Sequence, residues 1–97
     1  MKNEFMDMFD KWLQADALIS MLEHDFKIAC EVSGKAISKA KMSEICANVS
    51  QNWDDIFWAQ EHADNAAVIS WGMLRANERL EKATSMREAI VREMEDQ

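Results

Sequence analysis

The sequence predicts an all-α fold: a small antiparallel helical bundle of three main helices with a helical C-terminal tail and coiled-coil-like packing. Three observations carry that expectation. The 97 residues include no Pro, no Tyr and only two Gly, which removes most of the vocabulary of turns and strands. What remains is rich in Ala, Met, Leu, Glu, Lys and Arg, all good helix formers. Apolar residues also recur at three- and four-residue steps along much of the chain, the spacing of one helix face.

The first helix is expected over residues 2–32. Phe5, Met8, Trp12, Ala15, Ile19, Leu22, Phe26 and Ala29 alternate at three and four residues through four heptads, as in a coiled-coil seam. Asn3 stands where a cap is needed, and Glu4, Asp7 and Asp10 lie toward the positive end of the helix dipole. Ser33-Gly34 is expected to end this helix, Gly34 taking the left-handed conformation common after a last turn. A looser apolar line, Met6, Leu13, Ala17, Met21 and Ile28, runs along its flank and implies a second neighbour.

A shorter second helix is expected over residues 36–49, with Ile37, Ala40, Ile45, Cys46 and Val49 apolar. Lys35, Lys39 and Lys41 crowd its start, the unfavourable end for cations, so carboxylates elsewhere are expected to answer them. Ser50-Gln51-Asn52 is the next turn, with Asn52 as cap and Asp55 three residues on in a variant capping box.

The third helix opens at Trp53 and runs to Ala83. One stripe comprises Trp58, His62, Ala66, Ile69, Met73, Ala76, Leu80 and Ala83. A second, about 160° away at 100° per residue, comprises Trp53, Ile56, Ala63, Ala67, Trp71 and Leu74. Two apolar sides require two neighbours, or one neighbour and a partner. Ser85 and Glu88 then match a capping box that would start a separate tail, yet Ile90 and Met94 continue the first stripe's register.

Length and composition describe a single helical domain spanning 1–97, with a modest core at this size. A net charge of −7 disfavours direct binding to nucleic acid or to an anionic membrane surface, both of which need clustered cations. The charge is uneven, since residues 33–52 carry +2 and residues 53–75 carry −3. Cys30 and Cys46 form no CxxC pair and read as thiols of a reducing, cytoplasmic setting. The acidic start lacks the basic region of a signal peptide, and no apolar run approaches the ~20 residues of a membrane span.

Catalytic patterns are sparse. Neither His24 nor His62 follows a Glu at the three-residue spacing of a di-iron bundle, and there is no glycine-rich phosphate loop or G-x-S-x-G elbow. Glu61 with Asp64, and Glu78 with Glu81, place carboxylates one turn apart, as in all-α enzymes that hold Mg²⁺ to cleave nucleotides. Those carboxylates lie on the polar side of the third helix, where solvation is the simpler role. A helix-turn-helix over residues 41–62 would present Asp54-Asp55 to phosphates.

The expected activity is therefore non-enzymatic protein binding through a helical apolar surface on an acidic scaffold, as in an adaptor, chaperone or inhibitor. The expected contact residues are Trp53, Phe57, Trp71 and Leu74, with Met6, Leu13 and Met21. No cofactor, metal or catalytic residue is expected, and the partner is a second protein or a second copy of the chain. Two alternatives remain: an acidic decoy occupying a nucleic-acid-binding site on a target, and a metal-dependent nucleotide pyrophosphohydrolase using Glu61, Asp64, Glu78 and Glu81.

Overall fold

The computed structural model describes residues 4–96. It corrects the expected three-helix bundle with a tail, because those residues form two helices joined by a two-residue turn. Helix α1 runs from Glu4 to Ser50 and helix α2 from Trp53 to Glu95. The segments expected as a first and second helix are one helix, and so are the expected third helix and tail. The cap assigned to Asn3 lies outside the described residues.

The expected break at Ser33-Gly34 fails for a physical reason. Among the described residues no glycine has a positive φ, and Gly34 sits within α1. A glycine inside a helix costs about 1 kcal/mol relative to alanine. Against that, the alternation that begins at Met8 continues past it through Ser33, Ala36, Ala40, Ser43 and Ala47, all buried or half-buried. A side chain docked at every turn holds the helix through one weak position.

The expected restart at Thr84-Ser85 fails similarly. Thr84 turns its hydroxyl back to donate to the Leu80 carbonyl at 2.9 Å, a bond that leaves the helix intact. Ile90 and Met94 then stay half-buried in register with Leu80 and Ala83.

The turn itself follows the local chemistry. Gln51 takes a left-handed φ of 53° and donates its N–H to the Ala47 carbonyl at 2.9 Å, closing α1. The Asn52 side-chain oxygen accepts the Asp54 N–H at 3.1 Å and caps α2. Asp54 and Asp55 occupy the first turn of α2, where the dipole favours negative charge, and the Ser50 hydroxyl donates to Asp55.

The chain divides into two compact units, the first combining α1 up to Phe26 with α2 from Ala76, the second spanning Lys27–Arg75. In the Lys27–Arg75 unit α1 and α2 run antiparallel on either side of the turn, and their seam is made of small side chains. Ala29, Ser33, Ala36, Ala40, Ser43 and Ala47 meet a row that includes Ala59, His62, Ala66, Ile69 and Met73. The Ser33 and Ser70 hydroxyls share a hydrogen bond at 3.0 Å across it.

In the other unit the seam is bulkier. Met8, Trp12, Ile19, Leu22 and Phe26 turn inward from α1, and Ala76, Leu80, Ala83, Ile90 and Met94 from α2. Arg87 donates to Asp16 at 2.6 Å at the edge of this seam.

The described core is thin. Its buried apolar residues are Met8, Ile19, Ala47, Ala66 and Ala83, and no large side chain is wholly enclosed. A pair of helices has one seam and no third wall, so each inward side chain keeps one flank open to water.

Candidate protein-binding surface

On α2 of the Lys27–Arg75 unit, Trp53, Phe57, Gln60, Asp64, Ala67, Trp71 and Leu74 succeed one another at four- and three-residue steps. This is the same period as the seam Ala59, His62, Ala66, Ile69 and Met73, displaced by about 150° around the helix at 100° per residue. Because α1 covers the seam side, the displaced line faces outward. Trp53 is 84% exposed and Trp71 65%, with Phe57 and Leu74 also exposed.

Trp58 corrects its expected place in the core, since it is 55% exposed. The inner position belongs to its neighbour Ala59, which is half-buried. Trp58 instead packs within its own helix, edge-on to Phe57 with centroids 5.5 Å apart and stacked with His62 at 5.9 Å. A small residue beside a large one was read in the wrong order, because the small seam of this unit has no room for an indole.

Helix α1 of this unit has outward apolar side chains of its own. Met42, Ile45 and Val49 follow at three and four residues toward the turn, and Val49 is 83% exposed. Between the helices lies a groove of about 550 Å³, floored by Ala40, Ala47, Ala59 and Ala66 and walled by Ile37 and Ile56. Lys41, Glu44, Asn48 and Gln60 reach its rim.

In the unit built from the two ends of the chain, Met6, Leu13 and Met21 lie on α1 and are exposed, and Trp12 is half-buried and stacked with Phe9 at 6.1 Å. Phe5, Phe9, Trp12, Val91, Met94 and Glu95 line a groove of about 300 Å³. A second groove of about 310 Å³ runs past Leu18, Ala83, Met86 and Ile90.

All seven expected contact residues thus lie in solvent, four on α2 of one unit and three on α1 of the other. Sequence reasoning missed the alanine-floored groove and the outward Met42, Ile45 and Val49. The signal was present, since alanines and serines at seam spacing from Ala29 to Ala47 already indicated that little volume faces inward there.

The carboxylates considered for metal chemistry, Glu61, Asp64, Glu78 and Glu81, are exposed. Gln60 donates to Asp64 at 2.9 Å and Asn77 to Glu81 at 3.2 Å. Among the described residues, no three His, Cys, Asp or Glu side chains gather as a metal would require. Among them also, no helix is long and apolar enough to cross a membrane. Cys30 is half-buried and Cys46 exposed, both as free thiols. Compared with known families, characterised proteins and solved structures, the chain matches none.

Proposed function

We propose that this chain is a non-enzymatic protein-binding module, of the adaptor, chaperone or inhibitor kind, working through its outward apolar helix faces. The observation that carries the reading is the placement of Trp53, Phe57, Trp71 and Leu74 in solvent along one side of α2. Scattered exposed apolar residues are ordinary, but a row of aromatics at helical spacing is the composition of a contact hot spot.

The surrounding charge narrows the partner. Asp54, Glu61, Asp64 and Glu78 flank the row on α2, which favours a partner with apolar anchors and a basic or mixed rim. The chain is expected to work in the cytoplasm, where Cys30 and Cys46 stay reduced.

The test is affinity purification of the whole chain from its native host beside Trp53→Ala and Trp71→Ala variants, followed by titration of what is recovered. A stoichiometric assembly weakened about 30-fold by either change, the worth of a hot-spot residue at about 2 kcal/mol, supports the reading. A chain that stays monomeric and retains no stoichiometric partner overturns it.

A further inference from the structure

We infer that a second copy of this chain covers the groove face of the Lys27–Arg75 unit, making a two-fold four-helix assembly; the inference rests on the protein-binding reading and names its partner.

The first support is area. The accessible surface is 7626 Å², whereas a compact monomer of 11.2 kDa exposes about 5,700 Å². The excess is about 1,900 Å² against that scaling. The Lys27–Arg75 unit is about half of the chain, and a proportional share is about 950 Å². Two copies covering that share would bury about 1,900 Å² in total, the size of a stable protein interface.

The second support is the surface around the groove. Lys41 and Asn48 of α1 and Gln60 of α2 line it. Seven-residue steps drift by only about 20° each, so Lys27 and Gly34 share the side of Lys41, and Trp53, Ala67 and Leu74 share the side of Gln60. One helix therefore offers a row with little bulk at Gly34 and cations at Lys27 and Lys41. The other offers an apolar row, with Asp64 on its outer margin.

These rows are self-complementary under a two-fold axis along the helices. The Ser33–Ser70 pairing puts Gly34 about level with Ala67, and Lys41 about level with Gln60. Rotation then sets Gly34 of one copy against Ala67 of the other, so two small residues allow close approach. It sets Lys41 beside Gln60 and toward Asp64. Among the described residues the ion pair formed within the chain is Asp16–Arg87, leaving Lys27, Lys41 and Asp64 available for intermolecular pairing. A Cβ added at Gly34 would meet nothing within 4 Å in the lone chain.

That last fact supplies a test that spares the fold. Sedimentation equilibrium of the full chain over a wide concentration range should give a dimer. Gly34→Gln and Ala67→Gln should each raise the dimer dissociation constant by an order of magnitude or more, while Ser38→Gln, an exposed α1 residue away from the groove, should leave it unchanged. Circular dichroism of each variant should retain the helix content. Lys41→Glu and Asp64→Lys should each weaken self-pairing, and the two mixed should form a heterodimer.

A wild-type chain that remains monomeric throughout overturns the inference. The binding-module reading survives that result if a different protein is retained and lost with Trp71→Ala. A dimer indifferent to both Gly34→Gln and Ala67→Gln overturns the assignment of this face.

Discussion

Ser33 and Ser70 meet hydroxyl to hydroxyl at 3.0 Å across the seam of the Lys27–Arg75 unit, and Ser33 is 2% exposed. A polar group that far from water needs a partner, and only one alignment of α1 against α2 supplies it. The pair therefore sets register in a seam whose alanines would tolerate sliding.

The register role predicts a measurable coupling. Urea denaturation of Ser33→Ala, Ser70→Ala and the double variant should give an interaction energy of about 1 kcal/mol favouring the native pair. Single variants alone are a poor guide, since alanine also gains helix propensity. A coupling indistinguishable from zero would remove the pair from any role in alignment.

Gly34→Ala separates the continuous helix from the expected break. In α1 the position has an ordinary helical φ and open space beyond its Cα, so alanine should stabilise the chain by about 0.5–1 kcal/mol. At a left-handed cap the same change would destabilise it. Thermal melts at concentrations low enough to keep the chain monomeric decide between them, and a fall in Tm would restore the break.

At the turn the expectation has the opposite basis. Gln51 holds a φ of 53°, a conformation that costs a residue with a side chain about 1 kcal/mol or more. Gln51→Gly should therefore raise stability by about 1 kcal/mol, and Gln51→Val should lower it. Equal melting temperatures for both variants would contradict the turn described above.

The Asp16–Arg87 pair is partly exposed on both sides, at 43% and 32%. Screening by water limits such a pair to about 1 kcal/mol or less. Asp16→Asn or Arg87→Gln should lower Tm slightly at low salt, and the difference should shrink as salt is added. A large loss that persists in concentrated salt would mean that Arg87 contributes through the packing of its stem instead.

Much of the helical architecture was readable from residue types alone. The seam from Met8 to Ala29 on α1 and most of the stripe from His62 to Met94 on α2 face inward as their spacing indicates. The cap at Asn52 is likewise where short-range chemistry puts it. The continuation from Ser33 to Ala47 was hidden because small residues do not register as an apolar face, although small size is what suits that seam. Trp58 was misplaced by the same habit of equating bulk with burial.

The order of residues, then, determined by itself that the chain is helical, that its apolar side chains keep a coiled-coil period, and that it turns at Gln51-Asn52. Only tertiary structure decided that Gly34 and Ser85 are passed without a break, and which stripe of α2 lies inward. Breaking signals at those two residues are worth about 1 kcal/mol each, less than the packing of several successive turns. The inward stripe depends on what stands opposite: one neighbouring helix can cover a single side, leaving Trp53 and Trp71 to the solvent.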